Sequence, residues 1–252
     1  MFDRVLYKEI AKKELNGRWT TPVLATLFVS GMYLLLEIPY IVSEFSLIGN
    51  DKSKKLRDAI EMATIANGNF FSYLSTATLI SLLVFVLAPL VILFFGSIFN
   101  IAESYLYIAY SHTTSQQPFT VFIKGFSLWA KGILGFLWNM LWVTLWTFVF
   151  IIPGIIKNYA YSQMFFIIAE YPRISVRKAM KLSKILTRGF KGDLFIMDLS
   201  FIGWAILCEF TSGIGILWLS PYKSMSFVNA YHSMKAQAIM NGTLTEADFT
   251  EA

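Results

Sequence analysis

Apolar residues fall into six long runs along this 252-residue chain, separated by short polar segments. Residues 76–99 contain no charged side chain, and neither do residues 133–156. About 20 residues rising 1.5 Å each cross a hydrocarbon layer of roughly 30 Å, so runs of this length read as transmembrane helices. The pattern predicts spans over 21–41, 70–95, 132–152, 155–169, 194–210 and 214–234. The expected fold is all-α: a polytopic membrane bundle of about six transmembrane helices with amphipathic interfacial helices, in a single domain over 1–252.

The breaks refine this outline. Pro89 interrupts the second run and should kink it, because proline lacks the amide hydrogen. A helix continued from 70 through Asn100, Glu103 and Tyr107 to 110 would measure about 60 Å, so its last turns are expected to bend along the interface. Pro153-Gly154 is expected to turn the chain at the far membrane surface, making 155–169 a short fourth crossing. In 1–18, Phe2, Leu6, Ile10, Ala11 and Leu15 oppose Arg4, Lys8 and Lys12, the pattern of an interfacial helix. That segment holds three acids among its five bases, unlike a cleaved secretory signal. Residues 45–69 are hydrophilic and are expected outside the membrane, and the polar tail, 239–252, is expected to fray.

Composition agrees with a bilayer environment: 56% of residues are apolar and 15% charged. The net charge of +5 sits in short segments between apolar runs, where anionic headgroups rather than nucleic acid would meet it. Five bases precede the first run and seven lie in 173–191. Placing both groups in the cytoplasm requires an even number of crossings between them, which six spans with both termini inside provide. The four bases at 52–57 are the exception to this asymmetry.

Within 173–191, Ser175 can cap a helix on which Arg177, Lys181, Lys184 and Arg188 form one charged stripe opposite Ala179, Leu182, Ile185 and Leu186. The stripe either orients the protein or contacts anionic phospholipid or a protein partner. Trp138, Trp142 and Trp146 recur four apart, as a lipid-facing or packing stripe or as a stacking platform. Ionisable groups in the apolar runs form a second candidate site, because each is costly in lipid. Glu209 and Lys223 lie at equal distance from a turn near Ile216 and are expected to pair, while Asp198 is brought towards Asn229 and His232. These five residues either fix helix register or line a polar pathway.

Motifs for chemistry are missing. Two histidines, His112 and His232, exclude a His-Glu-x-x-His zinc site, and Cys208 is the sole cysteine. No glycine-rich phosphate loop occurs, and no serine has a convincing nearby base. Neither a catalytic residue, a metal nor a cofactor is expected.

Several segments nevertheless resemble a known family: Ile152-Pro-Gly-Ile-Ile156, Ala169-Glu-Tyr-Pro172, Ala179-Met-Lys-Leu-Ser183, Gly189-Phe-Lys-Gly192, Thr211-Ser-Gly-Ile-Gly215 and Trp218-Leu-Ser-Pro-Tyr222. The chain resembles the bacterial integral membrane family of domain of unknown function 975. Phe190 departs from that pattern at a position where histidine is frequent. The resemblance implies a bacterial cytoplasmic membrane location and no assigned activity. The chain is also similar in style to membrane portions attached to some glycerophosphodiester phosphodiesterases. The expected function is that of an accessory, scaffolding or self-protection protein that binds lipid or a membrane partner. The alternatives are a small transporter or channel subunit with a pathway near Asp198, Glu209 and Lys223, and a lipid-active membrane enzyme.

Overall fold

The computed structural model describes residues 2–48, 58 and 76–250, and all the regular structure among them is helical. The expected extracytoplasmic segment and the start of the second span, at 70, fall almost wholly outside the described residues. In chain order the helices are α1 (Arg4–Leu15), α2 (Thr20–Ile48), α3 (Thr76–Ser111), α4 (Phe119–Gly125), α5 (Trp129–Val149) and α6 (Ile151–Tyr161). They are followed by α7 (Met164–Glu170), α8 (Val176–Leu186), α9 (Lys191–Leu199), α10 (Ile202–Phe210), α11 (Ile216–Met240) and α12 (Glu246–Thr250).

Among the described residues, three segments are long and apolar enough to cross a membrane: Thr20–Ile38, Phe85–Ser111 and Phe119–Val149. The other three expected spans take different forms. The fourth and fifth runs are each broken, into α6 with α7 and into α9 with α10. The sixth, α11, is long enough at 25 residues but carries Lys223, Asn229, His232 and Lys235. Among the described residues the regular structure is thus all helical, with three candidate spans, fewer than six.

The chain divides into two compact units. One, Ser30–Phe95, contains the distal part of α2 and the proximal part of α3, with exposed apolar side chains such as Leu34, Leu35 and Phe85. Pro89 lies inside α3 without ending it. The other unit, Met1–Val29 with Gly96–Ala252, contains the site described below.

In this larger unit, polar ties fasten helix ends together. The Arg18 guanidinium donates to the carbonyls of Thr113 (2.6 Å) and Ser115 (3.2 Å), and the Thr21 hydroxyl donates to that of Gln117 (2.6 Å), so the start of α2 lies beside the end of α3. Lys131, at the start of α5, donates to the carbonyls of Pro172 (2.6 Å) and Ile174 (2.7 Å), just before α8. Bonds from helix-end side chains to carbonyls satisfy groups that the helices themselves leave open.

Three expectations change here. The last turns of α3 are core, not an interfacial extension: Ile98, Phe99, Ile101, Ala102, Leu106, Tyr107 and Tyr110 are buried. The apolar stripe of α1 is Tyr7, Ala11 and Leu15, and it packs on protein, with Tyr7 joining Leu194, Met197, Phe201, Ala230 and Met234 in one cluster. Val5 and Leu6 are left exposed. The tail docks rather than frays through residue 250, because Leu244 and Phe249 are buried and the Phe249 ring lies 5.3 Å from that of Tyr171.

The α5–α6 reversal occurs at Phe150, which is extended, and Pro153 sits in the first turn of α6, where a missing amide hydrogen is harmless. The two helices then run antiparallel in close contact. A Cβ on Gly154 would stand 2.1 Å from Thr147 Oγ1 and 3.0 Å from Thr147 Cα. Glycine is required at 154 by this approach and not by its backbone angles. Gly154→Ala should therefore lower stability by about 1–3 kcal/mol, the usual cost of forced overpacking. Thermal unfolding in detergent measures this. Thr147→Ala should restore only part of the loss, because the backbone contact remains.

Candidate functional site

Helix α8 begins where Ser175, in an extended conformation, accepts a hydrogen bond from the Lys178 amide (3.3 Å). Its buried face is Ala179, Met180, Leu182, Ser183 and Leu186. Ser183 donates to the Ala160 carbonyl (2.8 Å) and accepts from the Gln163 amide (3.2 Å), hanging α8 on the bend between α6 and α7. The apolar face is therefore covered by protein and is not free to enter the acyl region, as an interfacial helix would require. Arg177, Lys181, Lys184 and Arg188 all remain exposed on the outer face.

This outer face meets the tryptophan stripe of α5. Trp138, Trp142 and Trp146 form one wall of a groove of about 370 Å³, and Lys157, Arg177, Lys181 and Lys184 supply its charge. The Arg177 guanidinium lies 5.3 Å from the Trp138 ring centroid, and the Lys157 ammonium lies 4.5 Å above that of Trp146. Such contacts contribute about 0.5–1 kcal/mol at exposed sites and hold the cations in place. No carboxylate lines this groove, and among the described residues none of its four cations has an acidic partner within ion-pair distance. Arg188 extends the stripe beyond the groove. A second groove, of about 450 Å³, is lined by Trp19, Trp204 and Trp218 with Lys12. Six of the seven tryptophans thus line two grooves.

The expected polar network separates into three parts. Lys223 pairs with Asp198 at 2.6 Å, and the Tyr159 hydroxyl donates to the other Asp198 oxygen at 2.8 Å. Glu209 is exposed and takes no part. The symmetrical hairpin fails because the chain breaks at Ser200–Phe201 and turns through Ser212 (φ 52°) and Gly213 (φ 81°). Cys208 takes the position facing α11, with its Sγ 2.7 Å from where a Cβ on Gly215 would be. Its neighbour Glu209 is thereby rotated outward.

Asn229 is held by α1, donating to Glu14 (2.8 Å), and does not approach Asp198. Burial raises the Glu14 carboxyl above its usual pKa, and the hydrogen bond from Asn229 and the charge of Arg18 act against that rise. His232 shares a 2.8 Å hydrogen bond with the Ser111 hydroxyl, and its ring centroid lies 5.3 Å from that of His112. Among the described residues no group of three potential metal ligands assembles.

Sequence reasoning missed the most buried ion pair among the described residues. Glu170 and Lys235 meet at 3.0 Å, with both side chains 11% exposed. Tyr231 donates to the second Glu170 oxygen, and Lys235 also donates to the Tyr171 hydroxyl. The i, i+4 spacing of Tyr231 and Lys235 on α11 was the available signal. Glu103 was also passed over; it lies on α3 one turn before Tyr107, whose buried hydroxyl has no hydrogen-bond partner among the described residues.

These pairings set different expectations. Glu170→Gln or Lys235→Met should each cost about 3–5 kcal/mol, because each strands a largely buried charge. Asp198→Asn and Lys223→Gln should each cost about 1 kcal/mol, since the Lys223 and Asp198 side chains are 45% and 32% exposed, and their effects should not add. Glu209→Gln should be neutral and additive with Lys223→Gln. Double-mutant cycles on thermal stability in detergent would show coupling at 198–223 and none at 209–223.

A family model described as protein of unknown function (DUF975) matches residues 46–238. Comparison with curated proteins and with solved structures gives no match.

Proposed function

Since this chain belongs to the DUF975 family, for which no activity is described, we propose from its groove that it is a multi-pass membrane protein that binds anionic phospholipid, in an accessory or scaffolding role. The observation that carries this reading is the convergence of four acid-free cations with three tryptophans in one groove. Tryptophan is suited to the headgroup level, having an apolar body and a polar N–H. Each base contributes about 1 kcal/mol near an anionic leaflet. Because the apolar face of α8 is buried in protein, recognition falls to charge and aromatic contact rather than to insertion.

In this reading the chain crosses the membrane six times, with α6–α7 and α9–α10 as broken crossings. Each of those pairs spans 20 residues, 151–170 and 191–210, enough for about 30 Å before the break. Two separate ties, of the α2 start to the α3 end and of the α5 start to the segment before α8, fit this arrangement. Aliphatic and aromatic side chains at the opposite reversals support an apolar surrounding there, with Phe148 85% and Phe210 83% exposed.

A second reading, a polar pathway for transport, draws support from Glu103 within a candidate span and from the cavity of about 340 Å³ that holds Asp198 and Lys223. In the lipid-binding reading Asp198→Asn leaves lipid retention unchanged.

Replacing Arg177, Lys181, Lys184 and Arg188 together by Gln should lower co-purifying anionic phospholipid at least tenfold, measured by native mass spectrometry. The unfolding temperature should hold, since all four side chains are exposed. Undiminished retention would sink the lipid-binding reading. For topology, single cysteines at 3, 178 and 245 in a Cys208→Ser background should react with an impermeant reagent added to one side of sealed vesicles, and those at 149 and 212 only from the other side, once detergent opens the vesicles. Reaction of 178 and 245 from opposite sides would overturn the six-crossing arrangement.

A further inference from the structure

Because α5 lies within a candidate span, the cations beside it stand at successive membrane depths. The Lys131 ammonium, at the start of α5, is bonded to the carbonyls of Pro172 and Ile174. Arg177 lies at Trp138, seven residues further on, and Lys157 lies over Trp146, eight residues beyond that. At 1.5 Å per residue these steps are about 10 Å and 12 Å. Lys181 and Lys184, one and two turns after Arg177 on α8, line the same groove. The ladder of charge thus follows most of a hydrocarbon layer of roughly 30 Å.

A charged side chain within that layer is costly, and water and headgroups drawn in beside it reduce the cost. Arg177, Lys181 and Lys184 are exposed, and α8 is held by its opposite, buried face, so they cannot turn away into protein. Among the described residues no acid pairs with them or with Lys157. The groove is therefore a wetted notch along α5 into which anionic headgroups are pulled below the surface.

From this we propose that the groove is a track along which anionic phospholipid headgroups pass between the two leaflets, their acyl chains remaining in the bilayer, without an energy source. The inference rests on the lipid-binding reading above and adds an activity to it.

The lining suits passage. Cations spaced over successive turns offer similar resting places, and a route needs sites that are several and individually weak. Three of the four are lysines, point charges on flexible stems that can hand a phosphate on. Trp138, Trp142 and Trp146 cover the same length, with apolar surface for the glycerol and upper acyl carbons. Beyond Trp146 the reversal at Phe150 is four residues away, about 6 Å, and is edged by exposed Phe148, Ile151 and Ile152. That short apolar rim is what remains to be crossed, so Lys157 is the last cation on the track.

The test uses the full chain in liposomes of phosphatidylcholine and phosphatidylglycerol, with a trace of either lipid carrying NBD on one acyl chain. Dithionite added outside bleaches the outer leaflet, and loss of the protected label reports movement from the inner one. Labelled phosphatidylglycerol should cross about tenfold faster than in protein-free liposomes, and about threefold faster than labelled phosphatidylcholine. Lys157→Gln should bring the rate down to the protein-free level. Its phosphatidylglycerol retention in native mass spectrometry should stay within about threefold, because Arg177, Lys181 and Lys184 remain. Lys157→Arg should keep the rate, and Lys13→Gln, an exposed change on α1, should alter neither quantity. A protein-free rate beside undiminished retention would overturn the track and leave the lipid-binding reading intact. So would equal rates for the two lipids, a rate that survives Lys157→Gln, or equally fast bleaching of an encapsulated water-soluble NBD compound, which marks a leak. Absence of both movement and retention would defeat the lipid-binding reading itself.

Discussion

The close antiparallel packing of α6 on α5 is the constraint on which the rest of the larger unit depends. It requires a glycine at 154 against Thr147, and it brings Lys157 over Trp146. It also presents the Ala160 carbonyl to Ser183 and Thr187, which hang α8 beside the hairpin. Once α8 is held by its buried face, its basic stripe can only point outward, towards the tryptophans. A wider hairpin would separate the two stripes and leave neither with a groove to line.

Each stripe was legible in the sequence because a helix repeats every 3.6 residues, and residues four apart share a face. Their convergence was not, since periodicity gives a face but never its partner. The same limit explains the misreading of α1. An apolar stripe against lipid and one against protein look alike in sequence, and Tyr7, Ala11 and Leu15 are covered by α11 and its neighbours. The first three runs were read as long apolar helices, and the three candidate spans overlap them, the second displaced from 70–95 to Phe85–Ser111. The later ones depended on local breaks at Ser200–Phe201 and Ser212–Gly213, where no proline warns of the interruption. Glu209 was lost as a partner for that reason: a one-residue change in facing turns a side chain by about 100°.

The missed Glu170–Lys235 pair has a different origin. Its members are 65 positions apart and belong to α7 and α11, so only the tertiary fold brings them together. Tyr231 and Tyr171 complete their hydrogen bonding, which is what makes a largely buried pair tolerable. The tail adds to the same cluster, since the Lys235 ammonium also lies 5.1 Å from the Phe249 ring.

The division of charge between these places connects the fold to the groove. Three carboxylates of the larger unit meet specific partners: Glu170 meets Lys235, Asp198 meets Lys223 and Glu14 meets Asn229. No acid is among the residues lining the α5–α6–α8 groove. An acid at its rim could neutralise Arg177 or Lys157 internally, as Asp198 does Lys223, and would remove the attraction for an external anion. The ring contacts instead position both cations without cancelling their charge, because an aromatic face carries no net charge. Tryptophan is thus the side chain that can orient the groove's cations while leaving them available to phosphate.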